Sequence, residues 1–469
     1  MIEKLFISIL LLIASFNQLS AQHLLDNSIW QGNLENIKLI LKISKDSITK
    51  QDIAVFDSPD QGAMGLKVSK LLITGDSVIA FSSVIGGGFY GAFNDNRTEL
   101  IGEWRQGVTL PLVLKKIDQE VEIKRPQTPK SPFPYLEEDV IYHNLDKSIK
   151  YGATLTLPDT NESVPAVILI SGSGQQDRDE TLFGHKPFWV IADYLTRNGI
   201  AVLRVDDRGV GETTGDVMSA TSMDFADDVL EGIAYLLADK RINHNKIGLI
   251  GHSEGGVIAP LVANKSNDIA FIISLAGVGV KGIDIVQKQM KSRYAQLGIN
   301  SQEVIKLDSL TNIFIELPDK YPEREQLQPV FAKKMEEWLV NQPDSLLMKL
   351  GFIGPNADRN IDQMAGRFFL PWMRYFLKYD PANTLTKVLI PVLALNGEKD
   401  TQVSAEENLE GFHNLLTKAG NKNFKTISLP NLNHLFQYAE TGEMTEYFSI
   451  QETFSPEVLQ IMLDWIRSL

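Results

Sequence analysis

Downstream of residue 160 the chain repeats one pattern: a short, nearly continuous apolar run followed by a stretch of helical periodicity. The runs are Val164–Ser171, Gly199–Asp206, Lys246–Gly251, Ile269–Ala276 and Pro391–Leu395, with a further strand at Lys425–Leu429. The helical stretches are Lys186–Asn198, Met223–Asp239, Glu254–Asn264, Glu406–Leu416 and a last one from Ser455 to Ser468. A strand that is apolar at almost every position must be covered on both faces, and alternating helices supply the cover. The pattern therefore predicts an α/β domain built on a mostly parallel sheet. Between Val278 and Lys387 the rhythm fails. That interval is helix-prone, rich in Met, Phe and Trp (Met290, Trp338, Phe352, Phe368, Phe369, Trp372), and inserted between two sheet strands. It reads as a helical lid, 278–387, over the carboxyl edge of the sheet.

Upstream stands Arg125–Pro134, whose four prolines cannot continue a helix or an inner strand. We read 125–136 as a stiff linker, with a catalytic domain at 137–469 behind it and a small all-β domain at 22–124 before it. In that first domain Ile37, Leu39, Leu41 and Ile43 alternate with polar residues, as do Leu110, Leu112 and Leu114. Gly75-Asp76 separates two such runs as a hairpin turn would. A small antiparallel meander or barrel is expected, with Trp30, Phe56, Phe89, Tyr90, Phe93 and Trp104 as core. Gly86-Gly87-Gly88 lacks the following helix and lysine that a phosphate loop needs.

The first residues have their own pattern. Lys4 precedes the apolar run Leu5–Phe16, and Leu19-Ser20-Ala21 offers small residues before Gln22. The run is shorter than the ~20 residues needed to span a bilayer, so we read a signal peptide at 1–21 and an exported product, periplasmic or secreted. No later run is long enough to span a membrane. With 45 basic against 59 acidic residues and a net charge of -14, the surface repels phosphate backbones, so no nucleic-acid partner is expected. The absence of cysteine excludes disulfides, thiolate metal sites and a thiol nucleophile. The oligomeric state leaves no mark on the pattern.

The chemistry concentrates where strands end. Gly251-His252-Ser253-Glu254-Gly255-Gly256 closes the third run and opens a helix. A serine on a strand-to-helix turn adopts strained backbone angles and needs small neighbours, hence Gly251 and Gly255; the turn projects its hydroxyl above the sheet. Such a hydroxyl requires a base. Among seven histidines, His434 follows the last strand in Asn433-His434-Leu435-Phe436, on the carboxyl edge, with His185 in reserve. His252 is expected to point away from the nucleophile. The base in turn needs a carboxylate to fix its tautomer. Asp400 in Asn396-Gly397-Glu398-Lys399-Asp400 fills that place, with Glu398 as the alternative. An oxyanion hole would combine the backbone N–H of Glu254 with one from Ser171-Gly172-Ser173-Gly174, at Ser173 or the adjacent Gly174.

Together these segments, with Gln175–Glu180 and the Asp207-Arg208-Gly209-Val210-Gly211 turn, resemble the bacterial α/β-hydrolase esterases, in the subgroup with a lid and a preceding β-domain. The resemblance covers roughly Glu137 to the C-terminus. It implies an eight-stranded, mostly parallel core and carboxylic ester hydrolysis of a small molecule through a Ser253–His434–Asp400 triad and an acyl-enzyme, with no metal or organic cofactor. Arg178 and Asp207-Arg208 match family positions too, and we read them as loop-fixing ion pairs rather than catalysts. Two other functions compete: a serine peptidase of the prolyl-oligopeptidase or aminopeptidase type, whose elbows Gly-His-Ser-Glu-Gly-Gly also resembles, and a non-catalytic binding protein on a hydrolase fold.

Overall fold

Alternating patterns upstream of the proline cluster become nine strands: β1 (Ser28–Leu34), β2 (Ile37–Lys45), β3 (Asp52–Ser58), β4 (Ala63–Lys67), β5 (Lys70–Thr74), β6 (Ser77–Ser82), β7 (Gly87–Phe93), β8 (Glu99–Gln106) and β9 (Val108–Ile117). The computed structural model describes residues 27–34, 37–46, 49–61, 63–118, 124–354 and 357–469; the expected signal peptide lies outside them. The nine strands form one antiparallel sheet in the order β4-β3-β2-β1-β9-β8-β7-β6-β5. It curls on itself, because Val68 N–H donates to Ala54 O while Ser69 N–H donates to Phe81 O, tying both ends of the order to one connection. Trp30, Phe56, Phe89 and Trp104 are buried inside it. Tyr90 and Phe93 are only half-buried, under the guanidinium groups of Arg105 and Arg97. Gly88 serves packing, since a Cβ there would lie 2.4 Å from Ala80 O.

Chain contacts separate this unit, which runs to Lys124 and takes in Tyr447–Ser449, from a second one made of Arg125–Glu446 and Ile450–Leu469. The proline-rich segment belongs to the second unit. Arg125 donates to the carbonyls of Ile450 and Phe183, and Gln127 exchanges bonds with Thr453 and Phe454. The first strand begins at Tyr135, inside the span read as linker.

The second unit is an eight-stranded sheet: β10 (Tyr135–His143), β11 (Lys150–Pro158), β12 (Val164–Ile170), β13 (Ala201–Val205), β14 (Ile242–His252), β15 (Phe271–Leu275), β16 (Val392–Gly397) and β17 (Phe424–Leu429). Their order is β10-β11-β13-β12-β14-β15-β16-β17. Only the pairs made by β11 are antiparallel; from β13 to β17 every pair is parallel. This is the mostly parallel core that the resemblance implied. Successive side chains of β12 face opposite layers. Ala166, Ile168 and Ile170 pack towards Ser222–Ala238 and Gly255–Ala263, whereas Val167 and Leu169 meet Pro187–Arg197 and Pro456–Ser468.

Between β15 and β16 the insertion folds as helices Gly282–Gln296, Ser301–Lys320, Arg324–Leu339, Asp344–Leu350, Ala357–Phe369, Pro371–Lys378 and Ala382–Leu385. Asn300 starts the longest of them with a capping box: its side chain accepts the N–H groups of Gln302 and Glu303, and Glu303 returns a bond to Asn300 N–H. Phe314 stacks on Phe368 at 5.1 Å and Phe331 meets Phe369 at 5.2 Å, so these aromatics fill the insertion's own interior. Met364 packs at the margin of the same core.

Candidate active site

Parallel strands deliver their carboxyl ends to one edge, and the loops after β12, β14, β16 and β17 carry the residues singled out above. Ser253 follows β14 with φ of +52°, a left-handed conformation costly for any side chain with a Cβ. Two bonds hold it there: Ser253 N–H donates to Leu275 O at 2.8 Å, and Gly256 N–H to Ser253 O at 2.9 Å. The flanking glycines are required by close approach. A Cβ on Gly251 would stand 2.1 Å from Gly255 O, and one on Gly255 would stand 2.2 Å from Ile170 O.

Asp400 and His434 meet. His434 Nδ1 lies 2.7 Å from Asp400 Oδ2, with both side chains almost wholly buried. The other carboxylate oxygen accepts the N–H groups of Gln402 and Val403, each at 2.8 Å, which fixes the aspartate. The His434 loop is held from its neighbour, because Asn433 Oδ1 accepts the N–H of Leu435 and of Gln437. The alternatives fall elsewhere. Glu398 is exposed and reaches only Ser428 Oγ, and His185 is buried against Thr453 Oγ1. The Ser253 hydroxyl forms no hydrogen bond with His434, an arrangement common in unliganded hydrolases, where that bond tightens on substrate binding.

The loop carrying candidate oxyanion donors lies against the serine. A Cβ on Gly172 would come within 3.3 Å of Ser253 Cβ, so the Ser171–Gly174 loop borders the serine directly. Asp207 holds it, accepting from Ser171 Oγ at 2.7 Å and Gln176 N–H at 2.9 Å. Burial pushes the Asp207 carboxyl up to about 7 against the pull of those bonds. Among the described residues no acceptor takes the N–H of Ser173, Gly174 or Glu254, which leaves all three available to an incoming anion. Gly172, Gly174 and Glu254 also line a small cavity together with Tyr142, Tyr151, Phe225 and Ile258.

Arg178 and Arg208 form the ion pairs expected of them. Arg178 binds Asp206 and Asp139, and Arg208 grips Asp228, which also accepts from Tyr151 Oη. Sequence reasoning missed two contacts. The Glu254 side chain turns into the protein, where Oε1 accepts from Ser222 Oγ and from Trp372 Nε1 of the insertion, each at 2.6 Å; burial raises its pKa. Secondly, His252 does not simply turn aside. Its ring is buried between Glu180 and the His434 backbone.

Parts of the chain are similar to known proteins. A family profile described as serine aminopeptidase, S33, matches residues 188–310. Esterase EstD of Thermotoga maritima is 25% identical over 305 residues, 65% of this chain and 61% of that protein, so the chain spans less than two thirds of this relative's length. Among solved structures, the Pyrococcus furiosus esterase Pf2001 aligns at 14% identity with a TM-score of 0.44 over 74% of this chain and 97% of that one. The α/β hydrolase GrgF from Penicillium sp. sh18 aligns at 16% identity with a TM-score of 0.42 over 71% and 98%. On its own sheet order and its strand-to-helix serine turn the second unit has the α/β-hydrolase fold, and its sequence is similar to the serine aminopeptidase, S33 family over residues 188–310 and to a bacterial esterase.

Proposed function

We propose that the protein is an exported serine ester hydrolase acting through Ser253, His434 and Asp400. The buried His434–Asp400 pair, at 2.7 Å, together with a serine held on a strained turn, carries the reading. A carboxylate that accepts from Nδ1–H leaves Nε2 unprotonated and able to act as base. Ser253 Oγ attacks the ester carbonyl while His434 Nε2 takes its proton. The carbonyl oxygen becomes an anion facing the N–H of Glu254 and that of Ser173 or Gly174. Protonated His434 then delivers its proton to the departing alkoxide. Water, activated by the same imidazole, attacks the acyl-serine, releases the acid and restores the serine.

A second reading, a serine peptidase, is favoured by the description of the matching family. Steady-state rates on short- to long-chain p-nitrophenyl esters, measured beside aminoacyl-anilides, separate the two. Ester turnover with negligible anilide cleavage is expected; efficient anilide cleavage would favour the peptidase, and no turnover of either would contradict both. Export rests on Lys4, the run Leu5–Phe16 and Ala21, and predicts a secreted product whose N-terminal sequence begins at Gln22.

A further inference from the structure

His252 precedes the candidate nucleophile, and both of its ring nitrogens are engaged within the protein. Nε2 lies 3.0 Å from His434 O. A carbonyl oxygen only accepts, so Nε2 carries a proton and donates it. Nδ1 lies 2.8 Å from Glu180 Oε1, and that same oxygen accepts the Gly172 N–H at 2.7 Å. His252 is 5% exposed and Glu180 1%. Burial opposes a charged imidazole, yet the facing Glu180 carboxylate and the bonds to it and to the His434 carbonyl outweigh burial, with Asp400 adding to them, so the His252 pKa is raised. The remaining titratable neighbours of the pair are the His434 ring, 4.9 Å away between centroids, and Asp207, whose carboxyl the Glu180 charge helps to raise. Phe188, Ile191, Leu275 and Leu435 close the surroundings.

Such a pair has a poor claim as a stabiliser. Two buried charges give up their hydration, and apolar side chains of the same volume often serve folding as well. Glu180 in addition sits at φ +52°, a conformation that must be held by its surroundings. What the pair uniquely provides is connection. It links the backbone of the base, the residue next to the nucleophile, and the start of the oxyanion loop through two side chains.

We propose that His252 and Glu180 form a charged positioning pair that fixes the His434 loop and the Ser171–Gly174 loop relative to Ser253. The inference rests on the esterase reading. Neither residue touches the substrate. Protonated His252 donates at both nitrogens; Glu180 accepts from His252 and from Gly172 and neutralises the imidazolium, so little net charge opposes the cation that His434 becomes during catalysis. Because the His252 pKa is raised in the folded protein, the bridge is intact below that pKa and is lost as pH rises through it.

The test uses the full chain with His252→Gln, His252→Leu and Glu180→Gln, assayed on one p-nitrophenyl ester. Misplacing catalytic groups by about 1 Å costs on the order of 10²-fold, so kcat should fall by roughly 10–100-fold in His252→Leu with KM within about threefold. His252→Gln, which keeps a donor for the His434 carbonyl, should recover part of that loss. Wild type should show an alkaline limb in kcat, and Glu180→Gln should move it to lower pH, because the charge that retains the proton is gone. A folded His252→Leu variant with kcat within about twofold of wild type overturns the proposal. So does an equal loss in both His252 variants, and so does an alkaline limb that Glu180→Gln leaves in place, a readout that stands even if His252→Leu fails to fold. Ser253→Ala keeps the two readings apart. If it remains active the assignment of Ser253 as nucleophile fails; if it is inactive while the His252 and Glu180 variants behave as wild type, only the positioning pair fails.

Discussion

A serine hydroxyl, its base and the carboxylate behind the base do unequal work, and removing them should show it. Replacing Ser253 or His434 by alanine should lower kcat by roughly 10⁶-fold with the fold intact. Asp400→Asn, which traps the wrong imidazole tautomer, should cost roughly 10⁴-fold. Steady-state rates on purified variants with native melting curves check both, and near-normal rates would remove the residue from the mechanism. Asp207 makes a prediction of a different kind. Its folded carboxyl titrates at about 7, well above its ordinary range, so the folded state keeps a proton that the unfolded chain releases near pH ~4. The stability associated with that proton is present at acid pH and is lost as pH rises through about 7. Asp207→Asn cannot ionise and should flatten that part of the melting-temperature profile, whereas an unchanged slope would show that Asp207 does not set it. Single positions were legible to different depths. Ser253, Asp400 and His434 could be named because each stands among turn residues just past an apolar run. Glu180 could not be matched with His252, since the two are 72 positions apart and neither carries a local pattern.

Among the elements, the insertion between β15 and β16 divides into an interior and a contact point. Phe368 lies in the interior, 6% exposed and stacked on Phe314. Phe368→Ala should therefore cost about 3–5 kcal/mol of stability, read from denaturant unfolding, without redirecting substrate choice. Trp372 behaves differently: it stacks on Phe376 and reaches from its helix to the buried Glu254 carboxylate. Trp372→Phe keeps the ring and deletes the bond, and should change relative kcat/KM across an acyl-length series of esters. A uniform change for every ester would show that this helix does not select substrate. The five apolar runs from Val164 to Leu395 each become an inner strand, for the reason they were legible: both faces of the sheet are covered there, whereas β17 lies at the edge and is only partly buried. β10 and β11 were missed. Glu137-Glu138-Asp139 gives the edge strand a polar cast, and β11 pairs antiparallel beside it, so neither shows the continuous run that marks the parallel interior. The proline-rich segment was misjudged as a spacer because proline content reports stiffness and says nothing of the bonds that Arg125 and Gln127 make.

For the whole molecule, composition narrows the chemistry before any motif does: a chain without cysteine has no thiol nucleophile, and a net charge of -14 disfavours phosphate-backbone partners. The change from period-two strands to strand–helix alternation likewise marked two units, since the two periods require different layer arrangements. All the proposed chemistry then falls in the second unit, on the edge where β12, β14, β16 and β17 end. The central claim is that ester hydrolysis passes through a covalent bond to Ser253. The most direct test treats the intact chain with an alkyl fluorophosphonate and follows the mass of the whole protein, then maps the adduct by peptide sequencing. One phosphonyl group per chain on Ser253, formed in step with loss of esterase activity and strongly slowed by His434→Ala, is the predicted result. An active esterase that stays unlabelled, or that carries the group on another residue, would contradict the account.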